Sequence, residues 1–164
     1  MGLDVAGAAG KTVREKEKQR SMMEKPVHGS REMTRSEMES FLKKQLHGRL
    51  GLCAGGEPYV VPLSYGFVDG SIYFHSATKG KKIEYMRQNN RVCFQVDEWV
   101  EKWASVICYG RVTLRDDAEA KARCFSVLMG RELSEDQVKD APVEIGVVEI
   151  EEMTGRCSED FDFG

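Results

Sequence analysis

The chain has 164 residues, the length of one domain, and a domain of that size buries roughly two thirds of its unfolded surface without covalent staples. Its formal net charge of −3, from 24 Lys and Arg against 27 Asp and Glu, lacks the cationic excess of proteins that grip nucleic acid, so any anion site must be local. No apolar run nears the roughly 20 residues that span a bilayer, no signal-peptide core is present, and the five cysteines form no C-x-x-C pair; these features predict a chain of the reducing cytoplasm without membrane, zinc or disulfide framework.

Residues 1–32 are rich in Gly, Ala and charged side chains without an apolar period, and read as a flexible tail with at most a frayed helix over 11–20. The folded domain is expected over 33–155, with an acidic tail over 156–164. Thr34 and Glu37 have capping-box spacing, Met33 and Met38 can staple across it, and Met38, Phe41, Leu42 and Leu46 form the apolar stripe of a helix ending near Gly48. The period then switches to that of strands over 49–54, 59–67 and 71–77. Gly55-Gly56 and Asp69-Gly70 between them supply the positive-φ residues of tight hairpins, which predicts an antiparallel meander. Pro62 cannot donate to a ladder, so its strand lies at an edge or carries a bulge.

A helix over 80–88, strands over 91–97 and 103–114, a helix over 116–129 stopped by Gly130, and a strand over 144–151 complete the pattern. Six mostly hairpin-linked strands with helices at the joints predict a mainly antiparallel α+β fold, a six-stranded barrel with flanking helices. Within 103–113 the residues sort into two faces. Ala104, Val106, Cys108, Gly110 and Val112 make a close-packed core face. Trp103, Ser105, Ile107, Tyr109, Arg111 and Thr113 make a mixed face that suits a subunit interface or a cofactor wall, or lies under a helix of its own chain.

The segment Tyr73-Phe74-His75-Ser76-Ala77-Thr78-Lys79-Gly80-Lys81-Lys82 runs from a strand into a helix. Its lysines crowd a helix start, where the macrodipole disfavours cations. A phosphate held by free amide groups, the Ser76 and Thr78 hydroxyls and an ammonium group would reverse that penalty; solvated surface lysines are the plainer reading. The spacing is not that of a nucleotide-hydrolysing P-loop, because Lys81 is followed by Lys82. His75 stands alone and is no metal site, and no Ser-His-Asp or Cys-His constellation is present.

Four pieces in order, Pro58-Tyr59-Val60-Val61-Pro62-Leu63-Ser64-Tyr65, Ile72-Tyr73-Phe74-His75-Ser76-Ala77, Gly80-Lys81-Lys82, and Ser105-Val106 with Gly110, make residues 51–155 resemble the FMN-binding split barrels of the pyridoxamine-5′-phosphate-oxidase-like superfamily, most closely the nitroimidazole-resistance reductase group. The resemblance implies a split β-barrel homodimer with FMN between the subunits. It implies that Val61, Pro62, Leu63, Ser64 and Tyr65 line the isoalloxazine, that His75, Ser76, Ala77 and Lys82 lie near the phosphate with Lys81 as the competing lysine, and that Trp103, Ser105 and Val106 complete the site. It further implies an oxidoreductase passing electrons from a reduced nicotinamide to a small nitroaromatic or pyridoxal-like acceptor, with His75 and Tyr65 as the catalytic candidates. The other reading is a split barrel that binds flavin or haem without turnover.

Overall fold

The computed structural model describes residues 29–164, so most of the expected tail, including its helix over 11–20, lies outside the described residues. The first helix, α1 (Arg35–Lys44), begins as its sequence dictates. The Thr34 hydroxyl accepts from the Glu37 amide at 3.3 Å, and the Glu37 carboxylate accepts from the Thr34 amide at 2.8 Å. Arg31 donates twice to the same carboxylate, at 3.0 and 2.7 Å, which with the Thr34 bond holds the Glu37 carboxyl down at about 2. Met38, Phe41 and Leu42 are buried, while Leu46 is 61% exposed, because the helix stops at Lys44 rather than near Gly48. Gly48 already lies in the next strand, packed so closely on Phe94 that a side chain would overlap the ring.

Strands β1 (Ser30–Glu32), β2 (His47–Ala54), β3 (Glu57–Ser64), β4 (Gly66–Val68), β5 (Ser71–Ser76), β6 (Arg91–Trp99), β7 (Trp103–Arg115) and β8 (Glu144–Ser158) form one antiparallel sheet. The helices α2 (Lys81–Gln88), α3 (Ala118–Met129) and α4 (Glu135–Val138) lie between them in the chain. The path through the sheet is β3-β2-β6-β7-β8-β5-β4, with β1 paired to β8. β3 and β4 therefore sit at opposite ends of the path, yet only Tyr65 separates them in the chain. One residue can join both ends only if the sheet curls on itself, and this curl makes the split barrel.

The run over 59–67, read from the sequence as one strand, is broken at that joint. Tyr65 leaves the ladder to donate its amide to the Leu46 carbonyl at 3.1 Å and its phenol to the Leu42 carbonyl at 2.8 Å. The two hairpins form where Gly55-Gly56 and Asp69-Gly70 place them, but β3 and β5 make no ladder, so the three runs are two hairpins on opposite margins and not a meander. The break and the added β1 bring the count among the described residues to eight strands rather than six. Pro62 does lie on an edge strand, since among the described residues β3 has β2 as its sole ladder partner.

Both expected tail boundaries fall inside paired structure. Ser30–Glu32 pairs with β8 from Ser158 to Arg156, and beyond it the Phe161 ring lies edge-on to Phe41 at 5.9 Å. α4 has no counterpart in the sequence reading. It starts on a second capping box, Ser134 with Gln137, and is tied to α3 by the buried Lys121, whose ammonium donates to the Lys139 carbonyl at 3.0 Å. The main core fills the barrel with Leu50, Phe74, Phe94, Val96 and Val106, and a second cluster seats Ala120 and Cys124 of α3 on Tyr73, Ile145 and Val147. No helix among the described residues is long and apolar enough to cross a membrane.

Candidate functional site

β5 delivers its last two residues to the segment whose lysines suggest an anion site. His75 is exposed, with its ring 5.6 Å from that of Phe125, and Ser76 turns inward and is buried. Ala77, Thr78 and Lys79 form an exposed turn that ends at Gly80, the N-cap of α2. Gly80 has φ 115° and ψ 170°, a backbone conformation that favours glycine, and no side chain caps the helix. The amide groups of Lys81, Lys82 and Ile83 thus lie at the positive end of α2 with no intrahelical acceptor.

The three lysines part company in space. Lys79 is exposed. Lys81 lies over two rings, its ammonium 4.8 Å from the Tyr59 centroid and 5.3 Å from that of Tyr85, themselves an edge-to-face pair at 5.5 Å. Lys82 is half-buried, 5.9 Å from the Phe74 centroid, and makes no ion pair with any described residue. Burial pushes its pKa down. A half-buried ammonium without an anion, beside three free amides, is an arrangement that a phosphate would complete.

β3 approaches this turn because the barrel closes there, with β3 and β5 in contact. Val61 and Leu63 point inward onto the core beside Tyr59, and Pro62 and Ser64 point outward. Tyr65 has another occupation. It is 1% exposed, its proton is spent on the Leu42 carbonyl, and burial pushes its phenol well above the usual range. That corrects its place among the catalytic candidates: it anchors the joint between β3 and β4 and has no proton to exchange with a ligand. Tyr65→Phe is expected to cost about 1–3 kcal/mol, the price of an orphaned buried carbonyl, in chemical denaturation.

Val106 also faces the core and is fully buried, with its backbone in the ladder between Val96 of β6 and Gly155 of β8. Trp103 and Ser105 lie on the outward face of β7, half-buried. The alternation expected for this strand is observed, with Ala104, Val106, Cys108, Gly110 and Val112 all buried. Trp103 stacks on Trp99 at 5.3 Å and 10° between planes. Sequence reasoning passed over a polar line beside them: Arg49 pairs with Asp97 and donates to Gln95 at 3.2 Å, and Gln95 lies 3.5 Å from the Ser105 hydroxyl. The alternation of Arg49, Gly51 and Cys53 along β2 was the available signal, since it places all three on the outward face. Two clefts share the outward face of β7. One of about 690 Å³ is lined by Gly51, Tyr59, Val60, Arg91, Cys93 and Tyr109; the other, of about 450 Å³, by Met33, Met38, Trp103, Ser105, Ile107 and Arg156.

Comparison with known proteins bears on what this geometry serves. The family model described as pyridoxamine 5′-phosphate oxidase matches residues 34–157. A solved FAD-binding protein of Mesorhizobium loti is 34% identical, covers 79% of this chain and 99% of its own, and superposes with a TM-score of 0.68. A putative 5-nitroimidazole antibiotic resistance protein of Bacteroides thetaiotaomicron is 26% identical, with coverage of 79% and 89% and a TM-score of 0.66. An uncharacterised protein of Rhizobium meliloti (strain 1021) is 34% identical over 83 residues, 49% of this chain and 54% of that protein, so the chain spans about half the length of that curated relative.

Proposed function

The chain belongs to the pyridoxamine 5′-phosphate oxidase family, and from that membership we propose that it is a flavin-dependent oxidoreductase, homodimeric and cytoplasmic, that holds FMN by its phosphate at the start of α2. The observation that carries the reading is Lys82, half-buried and without an anionic partner among the described residues, at a helix start that no side chain caps. The description of the Mesorhizobium loti relative as FAD-binding supports a flavin in general. FMN fits the site in hand, where one ammonium group and three amides converge, because it presents a terminal phosphate dianion.

Bound FMN supplies hydride chemistry between a reduced nicotinamide and a small acceptor, nitroaromatic or pyridoxal-like. The residues of this chain bind and orient. Lys82 and the first amides of α2 neutralise the phosphate, and Lys81 braces β3 against α2 through the Tyr59 and Tyr85 rings. The edge strand β3, paired with β2 on one side, leaves backbone groups on its other side for a planar ring. His75 remains the exposed candidate for moving a proton at the margin of this site, whereas Trp103 and Ser105 lie toward the other end of β7, since the register sets Arg115 across Ile145 from His75 and sets Ser105 opposite Arg156.

Purified protein reconstituted with FMN is expected to show a flavin absorption spectrum and to consume NADH or NADPH steadily with a nitroaromatic acceptor. Tight FMN binding without turnover would reduce the reading to a flavin carrier, a Soret band would replace flavin with haem, and failure to take up FMN at micromolar concentration would overturn it.

A further inference from the structure

The exposed imidazole near the end of β5 has a single restraint. His75 makes no hydrogen bond and no ion pair with any described residue. Its ring neighbour is Phe125 of α3, half-buried, with centroids 5.6 Å apart and planes tilted by 32°, inside the range of a favourable aromatic pair. Phe125 is the better fixed of the two. At the start of α3 the Asp117 carboxylate accepts from the Ala120 amide at 3.0 Å and from Arg115 at 2.7 Å, and at its end Gly130 closes the helix in the left-handed conformation. Arg123 pairs with Asp69 of the β4–β5 turn, and Lys121 donates to the Lys139 carbonyl. Ala120 and Cys124 seat the helix on Tyr73, Ile145 and Val147, and Ile145 is also the register partner of His75. A hydrogen bond would orient the imidazole as well, but it would occupy one ring nitrogen and fix the tautomer. A ring contact restricts the rotation of the side chain and leaves both nitrogens free to exchange a proton.

We propose that Phe125 is the positioning residue of His75: the phenyl ring, carried on a helix pinned along its length, aims an imidazole whose own strand leaves it unrestrained. The acceptor, reduced by hydride from the flavin, then takes its balancing proton from His75, which regains one from the solvent it is exposed to. The proposal rests on the oxidoreductase reading above and on the place of His75 in it, and it brings α3 into the site beside the barrel strands and α2.

Two readouts on the FMN-loaded full chain test it. In proton NMR the Phe125 ring current should displace the His75 ring protons from the positions of a free histidine, and Phe125→Leu should return them; His75→Ala identifies these signals among the three histidines of the chain. In turnover with NADH and nitrobenzene, Phe125→Leu should lower kcat about tenfold at unchanged acceptor KM and unchanged FMN affinity, as expected when a proton donor is misaimed. Phe125→Tyr keeps the ring and should stay near wild type. In a His75→Ala background Phe125→Leu should have no further effect, because it acts through the imidazole. His75 protons or a kcat that do not respond to Phe125→Leu, or a loss that persists undiminished without His75, would overturn the positioning role. A His75→Ala protein that turns over like wild type would remove both residues from the mechanism and leave the flavin reading intact. A wild type that binds FMN without turnover would overturn the oxidoreductase reading and this proposal with it.

Discussion

Lys82→Ala is expected to weaken FMN binding by about 1.5–3 kcal/mol, a tenfold to hundredfold loss, which is the scale of one charge-assisted contact to a phosphate oxygen. Fluorescence titration of the apoprotein reads this directly. Lys79→Ala should be nearly silent, since Lys79 is exposed. Lys81→Ala should act weakly on FMN, because its ammonium is engaged by the Tyr59 and Tyr85 rings. A second readout separates Lys82 from an ordinary structural residue. Burial lowers its pKa, so the charged form is disfavoured in the apoprotein, and removing it should leave apoprotein stability unchanged or raise it. Binding of a dianion favours the charged form and draws the pKa back up. FMN affinity should therefore be full at pH below the lowered pKa of Lys82 and fall as pH rises through it, and Lys82→Ala should flatten that part of the profile. Equal, negligible effects of all three substitutions would place the phosphate elsewhere.

Gly110→Ala is expected to be the most damaging single-methyl addition in the barrel. Gly110 is buried on the core face of β7, at the register shift where Tyr109 opposes Glu152 and Gly110 opposes Ile150. A Cβ at this position would overlap the Glu149 carbonyl oxygen of β8. That obstacle is ladder backbone, so it cannot yield as a side-chain tip does. The loss should reach or exceed the ~1–3 kcal/mol of ordinary overpacking, which for a chain of this length lowers the melting temperature by about 2–4 °C per kcal/mol. Gly51→Ala is the internal control: its Cβ would meet the Cys93 carbonyl oxygen at 3.3 Å, a contact relieved by a few tenths of an ångström. The expected order is wild type close to Gly51→Ala, with Gly110→Ala well below. A Gly110→Ala protein that melts with wild type would mean that β7 and β8 do not approach this closely.

Much of this molecule is legible before folding because the forces involved are local. Thr34 and Glu37 cap α1 through atoms three residues apart, Gly55-Gly56 and Asp69-Gly70 turn their hairpins by backbone preference, and Gly130 ends α3 in the left-handed conformation. The alternation along β7 is legible for the same reason, since a pleated strand sends successive side chains to opposite faces whatever lies around it. Pro62 marks an edge because its nitrogen carries no proton.

Other features have no local cause. The sequence continues smoothly through Ser64-Tyr65-Gly66, and the strand breaks there because Tyr65 finds the Leu42 and Leu46 carbonyls, some twenty residues away in the chain. β1 and the end of β8 read as tails because their ladder partners lie at opposite ends of the sequence and only pairing brings them together.

The anion site shows both halves at once. By itself the sequence determined that cations gather at a strand-to-helix turn, because composition and helix polarity are properties of a single segment. Which lysine is left half-buried and without an anionic partner was decided only by the tertiary structure. The Tyr59 ring of β3 and the Tyr85 ring of α2 come from segments that meet when the barrel closes, and they engage Lys81. Lys82 is left half-buried over Phe74, at the uncapped start of the helix.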